Sequence, residues 1–460
     1  MRLFMGNTGF AQAMNAATRR QSRGVALCLA LVLTACGESG SPNPQGSIFG
    51  QSPNKAGLAD ALRGGTIFAG VAADESRAAE VGRDVLLNGG NAADAAVAMY
   101  FTMAVTLPSA ASLGAAGACI VHTQKTRTDE LFAFAPTAAP GPIGGVSFNV
   151  PMGVRAITLM HIRHGSARWE QLVAPAERLA RFGIPVSRAL ARDLQVGASA
   201  LSDREARRIF GKGTGTAVTE GDNWTQGDLA GTLGTLRQGG GNEFFAGRLA
   251  RVLSDQVAQM GGSLPVEVLR NTAPQTGTPP SEPFINGHRV YVAPPPLAGA
   301  AALAGWNGQA SSGGVATDSG GFAGFIAVDS NGNAVACSLS MGQLFGARVI
   351  VPGTGVLLGA MTADAAAASP VLIGSPNNGE LLFVGAGGGS ASAAGAAGAI
   401  ARATVQSKAS VAQALAALGG RGGHVNAIAC PGGLRGNVVS CSGGTDPSGF
   451  GLALSAIPNK

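Results

Sequence analysis

The sequence predicts a layered α/β protein, with helices and strands stacked in separate layers. Three observations carry this prediction. Helical periodicity marks the first half, apolar strands joined by a hairpin turn mark the C-terminal third, and an Ala-rich helix pattern follows the last clear strand. The 460 residues are 46% hydrophobic, enough for one large layered domain or two small ones and too apolar for a disordered chain. With 71 Gly and only 5% aromatic residues, packing rests on close backbone approach more than on bulky rings.

In chain order, residues 67–72 (IFAGVA) read as a short buried strand. A helix over 75–87 follows, with Ala78, Gly82, Val85 and Leu86 on one face, and Gly89 and Gly90 stop it. Asn91 caps the next helix, with Asp94 three residues on as in a capping box, before an apolar run to Thr106. Residues 175–181 form a further helix, with Pro175 near its start and Gly183 just past its end. Residues 322–328 and 333–340 are strands joined by Asp329-Ser330-Asn331-Gly332, whose Asn-Gly is a strong hairpin signal. Residues 381–384 form a strand that runs into the Gly-rich segment 385–390 (GAGGGS) and then a helix. There is no internal repeat.

The N-terminus reads as an export signal. Arg19, Arg20 and Arg23 precede an apolar run over 25–33, too short to span a membrane, that ends in Leu33-Thr34-Ala35-Cys36. That ending resembles the bacterial lipobox, in which the Cys is lipidated and becomes the new N-terminus. Residues 1–36 are therefore expected to be a lipoprotein signal, and 37–64, rich in Gly, Ser, Pro and Asn, a flexible tether. The expected location is the periplasm, held to a membrane through Cys36. Gly37 favours the outer membrane, because an inner-membrane retention signal usually has Asp there.

Charge and cysteine usage narrow the function classes. The net charge is +6, but Arg2, Arg19, Arg20 and Arg23 precede Cys36, leaving 28 bases against 26 acids. No basic run remains to mark a nucleic-acid partner. Export permits disulfides. Cys430 and Cys441 flank a short Gly-rich loop and are the best candidate pair, whereas Cys119 and Cys337 lie in apolar stretches and read as buried free thiols. His161 and His164 are three apart with no third ligand nearby, so they read as surface helix residues. No metal site and no cofactor are expected.

Residues 70–98 (GVAADESRAAEVGRDVLLNGGNAADAAVA) resemble the N-terminal signature of the gamma-glutamyltransferases, or glutathione hydrolases. The resemblance continues in order through Asn149-Val150-Pro151, PAERLARFGIPVSRAL (175–190), 226–230 and 242–247. It resumes at HRVYVAPPPLAG (288–299), VDSNGNAV (328–335), Phe345-Gly346, GAGGGS (385–390) and GGTDPSGFGLAL (443–454). It implies a four-layer αββα Ntn-hydrolase sandwich, with a large-subunit-like part over 65–310 and a small-subunit-like part over 311–460 forming one composite domain. It also implies a small γ-glutamyl or amide ligand. In the family, self-cleavage frees an N-terminal Thr whose hydroxyl attacks the γ-glutamyl carbonyl while its α-amine serves as base.

Several residues depart from the family pattern. Counting back from Asp329, the nucleophile position falls on Phe322, followed by Ala323, and neither carries a hydroxyl or thiol. Thr317 and Ser319 lie upstream, and the Gly320-Gly321 pair read as an insertion makes either a candidate nucleophile. Such a shift moves the hydroxyl by several ångströms, at roughly 3.3 Å per extended residue. The paired serines that hold the glutamyl α-carboxylate fall on Ala366 and Ala367, the pocket Asn falls on Gly342, and no Arg occurs near 133–136. Asp364 matches the acid that pairs with the α-amine, and Gly388 and Gly389 match the oxyanion-hole glycines. The residues between Pro294-Pro295-Pro296 and 322 make a short Gly/Ala/Ser-rich connection where the family has a long helical segment.

Three readings follow. One is an uncleaved member that has lost γ-glutamyl chemistry, and the second is an autoprocessed amide hydrolase using Thr317 or Ser319. The third, from another class, takes 385–389 as a phosphate- or dinucleotide-binding loop between a strand and a helix. It lacks the acidic residue expected downstream and sits far from the N-terminus.

Overall fold

The computed structural model describes residues 69–212, 215–309, 320–418, 424–434 and 441–456. The expected signal, Cys36, the tether, Thr317 and Ser319 lie outside the described residues. Two antiparallel sheets form the centre. The first has seven strands in the order β17-β1-β9-β10-β2-β3-β6 and the second six in the order β16-β15-β14-β13-β8-β7. In the first, β1 is Gly70–Ala73, β2 Ala116–Thr123, β3 Thr128–Phe134, β6 Gln275–Gly277, β9 Phe322–Val328, β10 Ala334–Ser340 and β17 Leu452–Ser455. In the second, β7 is Ser281–Pro283, β8 Arg289–Val292, β13 Ser369–Gly374, β14 Leu381–Gly388, β15 His424–Ala429 and β16 Ser442–Thr445. Two small pairs lie outside them, β4 (Ile184–Pro185) with β5 (Asn223–Trp224) and β11 (Ile350–Val351) with β12 (Val356–Leu357). Strands from either side of residue 310 are interleaved in the first sheet, whereas in the second β8 and β7 from the earlier part form one edge beside four strands from the later part.

The alternation along β9 shows how the layers are built. Ala323, Phe325 and Ala327 pack with the helices that cover the first sheet, whereas Phe322, Ile326 and Val328 pack between the sheets. The outer helix layer includes Ser76–Leu87, Ala92–Thr106 and Trp169–Phe182. On the far side, Gly299–Trp306, Ala391–Val405 and Val411–Leu418 cover the second sheet through Val290, Ile373, Phe383 and Val425. This is the expected four-layer αββα sandwich. The Gly and Ala excess is used where layers meet. A Cβ built on Gly324 would lie 3.0 Å from Ala386 Cβ in the facing sheet, and one on Gly305 only 1.9 Å from Gly395 O in the neighbouring helix.

The local signals placed the site-bearing elements well. Glu75 caps the helix Ser76–Leu87 by accepting from Ala78 N at 2.9 Å, and Gly89, at φ +87°, ends it. Asn91 and Asp94 form the expected capping box on Ala92–Thr106, a helix buried along its whole length. Asp329 organises the β9–β10 turn. It accepts from Asn331 N, Asn333 N and Asn333 Nδ2 at 2.8–3.0 Å, and also from Ala92 N at 3.0 Å, tying the hairpin to that helix.

Four expectations are corrected. Cys119 and Cys337 are not free thiols: they face each other directly in the β2–β10 ladder and form a disulfide, as do Cys430 and Cys441. The pairing of Cys119 with Cys337 spans 218 residues, so only the sheet register makes it visible. The third helix starts at Trp169, which leaves Pro175 inside it, where burial of Leu172 and Val173 outweighs the local cost of a missing N–H. The connection after Pro296 is partly helical, over Gly299–Trp306. His161 and His164 are half-buried rather than surface residues. His164 Nε2 lies 2.7 Å from Glu130 Oε2, and His161 Nε2 lies 2.9 Å from Ala167 O.

Replacing Cys119 with Ala removes a cross-link that closes a very long loop. It is expected to lower stability by about 2–5 kcal/mol, read as a reduced midpoint in denaturant unfolding under non-reducing conditions. Non-reducing peptide mapping is expected to recover a peptide pair containing Cys119 and Cys337.

Candidate functional site

The first residue of β9, Phe322, opens onto a cleft of about 260 Å3. Asp74, Arg192, Asp193 and His424 supply its polar lining, and Gly320, Gly321 and Phe322 form one wall. Among the described residues, the lining includes no Ser, Thr or Cys. Phe322 is 4% exposed and its ring lies over the end of β14. A Cβ built on Gly388 would stand 1.9 Å from Phe322 Cε2, so Gly388 is needed here to make room for that ring. Gly389 is needed for a different reason: its φ of +100° turns the chain from β14 into the Ser390 cap of the helix Ala391–Val405.

The other glycines of the 385–389 segment are strand residues. Gly385 pairs with Val371 and Ala427, and Gly387 with Ser369 and Val425. Residues that lie in both flanking ladders make no phosphate-cradling loop, which corrects that reading.

The floor of the cleft is polar and buried. Asp74 follows β1, and its carboxylate accepts from Gly324 N at 2.7 Å and from Asn426 Nδ2 at 3.0 Å. Burial pushes the Asp74 carboxyl above the usual range, against the opposing pull of His424 and of those hydrogen bonds. Asn426 Nδ2 also donates to Gly324 O at 2.9 Å. His424 starts β15, and its Nδ1 is buried with no hydrogen-bond partner. Asp193, on the helix Arg188–Gly197, accepts from Ser109 Oγ at 2.6 Å, and burial raises its carboxyl as well.

The remaining sequence candidates, Asp364 and Gly342, are not among the described residues that line this cleft. Asp364 lies in the short 3-10 turn Ala363–Ala366, and its carbonyl accepts from Ser340 Oγ at 3.3 Å. Ser340 stands opposite Phe322 in the β9–β10 ladder, so Asp364 is one side chain removed from the strand start. Its carboxylate has no hydrogen-bond partner among the described residues. Gly342, expected from the resemblance to stand at a pocket Asn position, has φ +83°, and a Cβ there would meet Ala360 O at 2.6 Å. Gly320 lines the cleft, so the segment bearing Thr317 and Ser319 joins the described chain at its wall. Sequence reading missed Asp74, Arg192, Asp193, His424 and Asn426. Of these, only Asp74 carried a signal, an acid directly after a buried strand.

Comparison with known proteins decides the family. Residues 78–309 match the family model described as gamma-glutamyltranspeptidase, half of the chain. The chain belongs to this family. Over 248 residues it is 31% identical to the glutathione hydrolase proenzyme of Escherichia coli, and over 244 residues it is 31% identical to Scoloptoxin SSD14 of Scolopendra dehaani. Each match covers 50% of this chain and 42% of the relative, so the chain matches less than half the length of these curated relatives. Among solved structures, cephalosporin acylase from Bacillus halodurans superimposes with a TM-score of 0.68 at 19% identity, covering 90% of this chain and 99% of that one. This likeness shows the Ntn-hydrolase fold.

The raised Asp193 carboxyl has a pH consequence. A folded value above the unfolded one, about 3.9, means that Asp193 contributes stability fully below about pH 4 and loses it as pH rises through the folded value. Asp193→Asn keeps an acceptor for Ser109 and does not ionise. Its stability relative to the parent is expected to improve as pH rises across that window and then level off, as checked by urea unfolding at a series of pH values.

Proposed function

We propose that this protein is an exported, lipid-anchored member of the gamma-glutamyltranspeptidase family that keeps the fold and the cleft but has lost γ-glutamyl transfer and glutathione hydrolysis. The observation that carries the proposal is Phe322. It stands at the first position of β9 with its ring over Gly388, where the reaction would need a hydroxyl and an open oxyanion site. The alanines at 366 and 367, the glycine at 342 and the absence of Arg over 133–136 support the same reading. A γ-glutamyl α-carboxylate held there would lack a donor to offset its desolvation. The likeness of Leu33–Cys36 to a lipobox and the preceding basic and apolar segments support export and anchoring.

A second reading keeps the enzyme alive: self-cleavage frees Thr317 or Ser319, which attacks an amide carbonyl with its own α-amine as base. What favours it is Gly320 in the cleft wall, one residue beyond Ser319.

Intact mass and N-terminal sequencing of the purified mature protein separate the two. The expected result is a single uncleaved chain whose first residue is lipidated Cys36, with no chromophore release from a γ-glutamyl anilide. A fragment beginning at Thr317 or Ser319 overturns the proposal in favour of the hydrolase. Cys36→Ser is expected to move the protein from the membrane to the soluble fraction on detergent-free lysis. Phe322→Ala, which empties space between the sheets, is expected to cost about 3–5 kcal/mol in thermal or denaturant unfolding.

A further inference from the structure

The mouth of the cleft pairs an exposed apolar surface with one weakly engaged cation. Val196 is 70% exposed and Phe450 36%, and both line the opening together with Leu107, Ala110 and Leu344. Arg192 stands beside them, its guanidinium carbon 5.3 Å from the centroid of the Phe450 ring. The polar contacts of Arg192 are long, 3.4 Å to Ser448 O and 3.5 Å to Asp193 Oδ1. Asp193 takes its short bond from Ser109 instead. Arg188 lies over the same ring at 5.9 Å and pairs with Glu220 at 3.2 Å. Arg192 lines the cleft, and its one ion pair among the described residues, with Asp193, is 3.5 Å long, which leaves it donors to offer an incoming anion.

Deeper in, the polar lining is Asp74 and His424, whose Nδ1 has no hydrogen-bond partner among the described residues. Asp74 is already bonded to Gly324 N and Asn426 Nδ2, so its oxygens are engaged within the fold. The Phe322 ring lines the same cleft.

We propose that the cleft binds a small apolar monocarboxylate, its hydrocarbon or aryl body against Leu107, Leu344 and Phe322 and its carboxylate on Arg192 beside Phe450. The volume, about 260 Å3, falls just below the roughly 300–1,000 Å3 of most ligand pockets and so suits a small ligand. A fork-shaped guanidinium suits a planar carboxylate, and the exposed ring and Val196 cover the adjoining methylenes. This deepens the preceding reading of the cleft as a binding site rather than a γ-glutamyl reaction centre, and rests on it.

Isothermal titration calorimetry of the full mature protein with phenylbutyrate, its neutral amide phenylbutyramide, and L-glutamate tests the proposal. Phenylbutyrate is expected to bind about tenfold more tightly than the amide, with L-glutamate weakest. Arg192→Gln is expected to bring phenylbutyrate down to the affinity of the amide while leaving the amide unchanged, and Arg192→Lys to restore part of the difference. Phe450→Ala is expected to weaken both. The proposal is overturned by no phenylbutyrate binding, by equal affinities for acid and amide, by tighter binding of L-glutamate, or by indifference to Arg192→Gln. The mass and γ-glutamyl anilide measurements on the same sample judge the loss of γ-glutamyl chemistry separately. A cleaved, active protein that still prefers the acid through Arg192 would sink that loss and leave the ligand assignment standing.

Discussion

Asp74 leaves β1 with its carboxylate between the two sheets, accepting one hydrogen bond from β9 at Gly324 N and one from β15 at Asn426 Nδ2. The arrangement of the sandwich centre depends on this stitch. Asn426 closes it by donating to Gly324 O as well, so three strands from two sheets share one polar knot. The knot fits only because the facing positions are small, with Gly324 against Ala386. A larger residue at either place would push the sheets apart and strand a buried carboxylate without its donors, a costly outcome in a low-dielectric interior. Burial already raises the Asp74 carboxyl, which reflects how fully the sheets exclude water there.

The cleft follows from the same geometry. β9 begins just above the knot, and its alternation sends Phe322 into the inter-sheet layer, as it sends Ile326 and Val328. A residue at that position faces the end of β14, so whatever stands there decides what the glycines at 388 and 389 are for. With Phe322 present, Gly388 serves as space for a ring and Gly389 as a turn into a helix. The same two glycines beside a hydroxyl would present backbone donors to a reacting carbonyl. Their presence therefore says little about activity by itself. The side chain opposite them says more.

Much of the fold was legible from local rules. Asn91 with Asp94 and the Asn331-Gly332 turn each satisfy backbone groups within a few residues, which is why sequence pattern found them. The Cys430–Cys441 pair, 11 residues apart, was legible for a similar reason. Pro175 misled, because a proline reads as a helix start, while the burial of Leu172 and Val173 that extends the helix back to Trp169 is not local. The Gly-rich 385–388 stretch misled too. Glycine propensity favours a loop, but β13 and β15 on either side draw those residues into the sheet.

The sequence by itself determined the family, the layered fold, the likeness of the N-terminus to a lipoprotein signal and the absence of a hydroxyl at the head of β9. These reside in residue identity and order, which need no contacts to be read. Only the tertiary structure decided that Cys119 meets Cys337, that the Phe322 ring occupies the space over Gly388, and that Asp74, Asp193, Arg192 and His424 line one cleft. Those facts depend on strand register and sheet stacking between segments separated by up to about 350 residues, such as Asp74 and Asn426. Chain spacing carries no record of such pairings. They are set by strand register within each sheet and by the contact of the two sheets around Gly324.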